Sequence, residues 1–208
     1  NTVTEVNEET TSSFLGISGR EGEQTAGAVS RADALVFLLP LLRQSDADAL
    51  RGFSKLFGGS TLSSASALAV LSKVDRLAKN GDPMAAAAPI AARVAAELRG
   101  VVSGVLPVIG LLAETAQAAV FTEADARALA AVAAVTDEFD REDMLLTTDD
   151  FLAFEALDLE RGQRQRLLSM LDLYGLKVAV RAADNGARTA SDYLRVFDEA
   201  SGFAALRA

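Results

Sequence analysis

A chain of 208 residues, half of them hydrophobic, can hold one domain, or one domain with a helical appendage, and is too apolar for wholesale disorder. Its formal net charge of −9, with no basic stripe, argues against a nucleic-acid partner and against docking on an anionic membrane through charge alone. With no cysteine and no histidine, disulfides, the common zinc sites and histidine acid–base catalysis are excluded.

The chain begins at Asn1 without a charged and then apolar leader, so upstream sequence is expected to be missing. Residues 1–30 are polar and carry four glycines between Gly16 and Gly27, which predicts a short helix over Glu5–Leu15 followed by a loop. DALVFLLPLL (33–42) is too short to cross a bilayer and fits a strand buried on both faces of a parallel sheet. Ser45 with Asp48 is a helix cap, and ALRGFSKLF keeps helical spacing until Gly58-Gly59. ALAVLSKV (67–74) is the second buried strand. Asp82-Pro83 then reads as N-cap and first helical position, with Pro89 expected to delay the helix proper to PIAARVAAELR and Gly100 to close it. VVSGVLPVI (101–109) is the third strand, and Pro107 places it at a sheet edge, where a missing N–H is tolerated.

Residues 101–120 match a bilayer span of about 20 residues. Gly104 and Pro107 interrupt that stretch, however, and a strand followed by a helix describes it. Three strands separated by helix-length connections mean a parallel α/β sheet with right-handed crossovers. The α/β part is expected over 1–120 and a helical region over 121–208.

In that helical region Thr122 with Asp125 caps a helix expected to run to about Phe139. The acidic corner DEFDRED (137–143) and TTDD (147–150) lacks the central glycine of a calcium loop and reads as a solvated helix end, so no metal site is assigned. LERGQRQRLLSMLDLY is strongly amphipathic, with Met170, like Met144, a packing residue. Gly175 is expected to break or bend this helix, Gly186 to stop it, and Thr189 or Ser191 to start a last one through Phe197.

Ser72-Lys73-Val74-Asp75 lies at the carboxyl end of the second strand, where ligands sit in open α/β sheets. The plain alternative is a solvated strand–helix loop. The four residues resemble the [N/T]KxD guanine-reading motif of P-loop GTPases, with Ser72 standing where Asn or Thr is usual. About thirty residues on, VLPVIGLLAETA resembles the last motif of that family, with Val108-Ile109 in place of the usual Ser-Ala pair before Gly110. TEVNEETTSSFLG, ADALVFLLPLL, LLSMLDLYGLKVAV and SGFAALR extend the similarity to actinobacterial dynamin-like GTPases, the isoniazid-inducible Ini proteins being the nearest group.

The resemblance implies the carboxyl half of a GTPase sheet followed by helices. It implies that the Asp75 carboxylate accepts from guanine N1–H and the 2-amino group, that the Lys73 stem packs on the ring, and that a main-chain N–H of Val108, Ile109 or Gly110 meets O6. Adenine would leave such a carboxylate unpaired, a mismatch that can reject the wrong analogue by roughly 10⁴ or more. No GxxxxGK[ST] phosphate cradle occurs, and the only DxxG, Asp172–Gly175, falls inside a helix. No catalytic residue is therefore assigned. GTP or GDP with Mg²⁺ is expected in a complete protein, and neither hydrolysis nor tight nucleotide binding by this chain alone. The strand over 34–39 is expected to pair with the missing amino-terminal half or with another copy, because an open apolar edge is an aggregation template. The resemblance also implies a cytoplasmic protein, peripheral at the inner face of a membrane that its parent remodels. The competing reading is a non-enzymatic module whose Ala/Leu helices dock a partner protein.

Overall fold

The computed structural model describes residues 35–40, 67–77 and 81–207. The helices expected over Glu5–Leu15 and after Ser45 lie outside the described residues. The chain divides into two compact units, Asn1–Val108 and Ile109–Ala208, each described here by itself.

In the first unit the two apolar runs form β1 (Leu35–Pro40) and β2 (Ala67–Ser72), parallel and in register from Leu35 opposite Ala67 to Pro40 opposite Ser72. β3 (Val105–Pro107) lies parallel on the other side of β2, giving the order β1-β2-β3 and the edge position that Pro107 requires. β3 is shorter than the run 101–109 suggests, yet its hydrogen bonding is longer. Ser103 N–H donates to Ala67 O, Ala69 N–H to Gly104 O and Val108 N–H to Leu71 O. Ala69, Val70 and Leu71 are buried in succession, as a strand covered on both faces demands.

The connection from β2 to β3 is α1 (Pro83–Glu97), capped by Asp82, whose carboxylate accepts from Met84 N–H. Its buried stripe of Pro83, Ala87, Ala91 and Val94 recurs at helical spacing, and the small alanines let it lie close to β3. Pro89 does not delay this helix but sits within it. The hydrogen bond that proline forfeits is the one to the Ala85 carbonyl. Both residues are exposed, so water can satisfy that carbonyl. Gly100, at φ 82°, turns the chain back toward β3, a conformation that suits glycine.

The second unit is helical. α2 (Gly110–Gln117) is followed by α3 (Glu123–Ala133), which opens with a capping box in which Thr122 and Asp125 satisfy each other's amides. α3 ends at Ala133, short of Phe139, because Asp137 starts a new helix, α4 (Glu138–Met144), by accepting from the amides of Phe139 and Asp140. α5 (Thr148–Ala153) is capped by Thr147. The acidic corner thus holds two helix starts, where Asp137, Glu138, Asp140, Asp149 and Asp150 offset the amide ends, while Glu142 and Asp143 lie in the last turn of α4.

The long α6 (Arg161–Asp184) packs against α2, α3, α5 and α7 (Ala190–Ser201). Its break falls at Asp172 (φ 53°, ψ −177°) and not at Gly175. Gly175 is buried, and a Cβ there would lie 2.8 Å from Leu112 Cδ2 and 2.8 Å from Leu171 Cβ, so this glycine permits close approach of α2 to α6. Near the break, buried Thr115 of α2 donates its hydroxyl to the Met170 carbonyl. α6 ends in a Schellman turn, Ala187 N–H to Ala182 O and Gly186 N–H to Ala183 O, with Gly186 at φ 98°. α7 starts at Thr189 with a capping box to Asp192 and runs to Ser201, beyond Phe197. Phe121, Tyr193 and Phe197 form its aromatic core contacts, the Phe121 and Phe197 rings meeting edge-on at 5.6 Å.

Candidate functional site

β2 ends at Ser72, half-buried and opposite Pro40 in the ladder. The chain leaves the sheet sharply there. Lys73 takes φ 57°, a left-handed conformation uncommon for a residue with a side chain, and is exposed. A single 3₁₀ turn, Val74–Leu77, follows, closed by Arg76 N–H donating to the Lys73 carbonyl at 3.2 Å. Val74, with no exposed surface, plugs the turn into the core. Asp75 consequently stands half-buried beyond the carboxyl end of the central strand, and its carboxylate has no hydrogen-bond or ion-pair partner among the described residues.

Val108 joins this strand end directly. It is buried, and its N–H is engaged by Leu71 O at 2.9 Å. Of the residues named from the sequence, the structure therefore brings together Ser72, Lys73, Asp75 and Val108 within the first unit. Ile109 and Gly110 open the second unit, where Ile109 is buried and precedes α2 as its N-cap. The Ile109 N–H donates to Ser201 O at 2.9 Å. Gly110 is exposed, its amide has no protein acceptor among the described residues, and a Cβ built there would meet nothing within 4 Å. Gly110 alone of the three carries a free main-chain donor. The Ser201 contact had no signal in the sequence, since it joins residues 92 positions apart through main-chain atoms.

The chain is similar to the isoniazid-induced protein IniC of Mycobacterium tuberculosis, matched in strains CDC 1551 / Oshkosh and H37Rv. Identity is 35% over 159 residues, which is 74% of this chain and 31% of each relative. This is an Ini-type chain. It spans about a third of the length of the Ini proteins it matches, and the match covers most of the segment described above. No family model and no solved structure matches the chain.

Chemically, the Ini-type strand end offers an acceptor-only carboxylate, an aliphatic stem ending in an ammonium group, and a hydroxyl. That set can recognise a flat ligand edge presenting two adjacent N–H donors. None of the described helices is long and apolar enough to cross a membrane.

Proposed function

We propose that this chain is the base-reading portion of a dynamin-like GTPase, with Asp75 as the guanine-specificity residue. The observation that carries the reading is the unpartnered, half-buried Asp75 carboxylate beyond the carboxyl end of the central strand. A ligand edge with two N–H donors, such as guanine N1–H and its 2-amino group, would satisfy that carboxylate, and adenine would not. Lys73, exposed and held left-handed by the turn, would lay its stem along the base. Ser72 would support the neighbouring loop.

The residues fit a guanine base and do not extend to the rest of the nucleotide. Nothing in the 208 residues forms a GxxxxGK[ST] cradle, so the groups that bind phosphates and Mg²⁺ would come from sequence outside this chain. The same division accounts for β1, an edge of the described sheet, which would pair with that further sequence. Membrane remodelling in the longer protein belongs to the same proposal.

The test is nucleotide turnover by the longer protein that contains this segment, compared with the 208-residue chain alone. GTP hydrolysis with little ATP hydrolysis is expected in the former, and none in the latter. Equal turnover of ATP and GTP by the longer protein contradicts the reading, as does turnover by the isolated chain.

A further inference from the structure

The corner between α4 and α5 carries two of the most exposed large apolar side chains in the described structure, Phe139 at 79% and Leu146 at 69%. They stand seven positions apart, Phe139 in the first turn of α4 and Leu146 in the turn that follows the helix, closed by Leu146 N–H donating to Asp143 O. Seven residues are almost two full helical turns, so a chain that keeps its helical phase through this turn presents both side chains on one side. Their neighbours do not cover them. Met144 and Leu145, between them, point into the core instead.

Seven acidic residues surround this pair within residues 137–150, all of them exposed. Only Asp137, as the α4 cap, and Asp150, which accepts from the Thr147 hydroxyl, engage protein groups, and the other carboxylates have no partner among the described residues. The one base of the stretch, Arg141, does not neutralise them. Its guanidinium is bound to the carbonyls of Ala133 and Val135 and to Asp184 Oδ2. The surface is therefore an apolar pair inside an unneutralised acidic rim.

We infer that this corner docks a basic amphipathic helix of a protein partner, its apolar side over Phe139 and Leu146 and its Lys or Arg residues over the rim. Charge selects that occupant. An anionic lipid surface would be repelled, each charge near it counting for about 1 kcal/mol. A second copy of a chain with net charge −9 is repelled in the same way. The chain's own arginine-rich stretch at the start of α6 leaves only Arg161 unengaged among the described residues, because Arg164 is buried on backbone carbonyls and Arg166 is paired with Asp125, and one cation does not match the rim. Acidic rims around apolar anchors suit basic helices, which are read through residues spaced i and i+7. This inference is independent of the nucleotide reading.

The experiment titrates the 208-residue chain with a synthetic Leu/Lys amphipathic helix of about 18 residues, five turns long. Glu replaces Lys in the control peptide, and vesicles of phosphatidylcholine with phosphatidylglycerol are a second control. The Lys peptide is expected to bind with a Kd on the order of micromolar, weakened by salt. The double variant Phe139→Ser/Leu146→Ser keeps every charge, and both positions are exposed, so it should fold normally. It should lose about tenfold or more in affinity, as truncation of two anchors does. Glu142→Lys/Asp143→Lys should weaken binding comparably. Undiminished binding by the serine variant would show a purely electrostatic attraction and overturn the inference. Binding of the Glu peptide or of vesicles through Phe139 would overturn it too, as would self-association that the serine variant abolishes.

Discussion

Replacing Arg164 with Met is the most severe test of the helical unit. Arg164 is 8% exposed and pairs with no carboxylate among the described residues. Its guanidinium instead donates to five carbonyls: Phe154 and Leu157 at 2.7 Å, Leu159 at 3.0 Å, Leu152 at 3.2 Å and Phe151 at 3.3 Å. Three of these belong to the end of α5, where orphan carbonyls and the negative end of the helix dipole attract a cation. Hydrogen bonds to charged groups contribute about 1.5–3 kcal/mol each, so the three best formed give roughly 4–9 kcal/mol. Relief from burying a cation offsets several kcal/mol of that. The variant should lose about 3 kcal/mol, and Arg164→Lys about half as much, because one ammonium cannot span five acceptors. Both tyrosines, Tyr174 and Tyr193, lie in 109–208 and Trp is absent, so tyrosine fluorescence during urea unfolding reports this unit alone. At a slope of about 1.5 kcal/mol per molar, the Met variant should shift the midpoint by roughly 2 M. A shift below about 0.3 M, or a Lys variant as stable as the parent, would refute the carbonyl-cage account.

Three further outcomes follow from the same packing. Gly175→Ala should gain helix propensity yet destabilise by about 1–3 kcal/mol, because its Cβ would strike Leu171 Cβ as well as the more yielding Leu112 tip; a neutral or raised urea midpoint would contradict the close approach. Tyr193→Phe should be neutral or stabilising by about 1 kcal/mol, since the buried hydroxyl has no partner among the described residues, and a marked loss in thermal unfolding would contradict this. Burial pushes the Asp125 carboxyl up, but hydrogen bonds from Arg166 and Thr122 and the Arg166 charge outweigh it and hold the pKa below its ordinary value. Its contribution is therefore complete above the unfolded pKa near 4 and lost as pH falls through the lower folded value, so Asp125→Asn should flatten the acid side of the stability–pH curve. An unchanged acid limb would count against that pair.

What the sequence made legible was local. Asp82-Pro83, the Thr122/Asp125 box and Thr189 each mark a helix start through bonds within four residues, and each is found where expected. The buried strands were legible because apolar runs of that length leave few alternatives. Tertiary contacts hid the rest. Gly175 looks like a breaker in sequence, but Leu112 of α2 needs its missing side chain, and the break moved to Asp172, a residue with no such signature. Pro89 looks like a boundary, yet its surroundings are open to water and the helix runs through it. Arg164 reads as one more surface charge on an amphipathic helix, because a cage of main-chain carbonyls leaves no trace in side-chain identity. At the candidate site, the motif was legible as four letters. The left-handed Lys73, the buried Val74 plug and the occupied amides of Val108 and Ile109 were not.

The most direct test of the central claim is the base preference of Asp75→Asn in the longer protein that contains this segment. Two hydrogen bonds to a charged acceptor account for roughly 3 kcal/mol or more, so kcat/KM for GTP should fall about a hundredfold. Xanthosine triphosphate offers a 2-oxo group in place of the 2-amino group, and the amide of Asn can donate to it while still accepting from N1–H. Turnover of xanthosine triphosphate should rise in the variant until it exceeds that of GTP. An Asp75→Asn protein that keeps the parent's ratio of GTP to xanthosine triphosphate turnover would contradict the assignment.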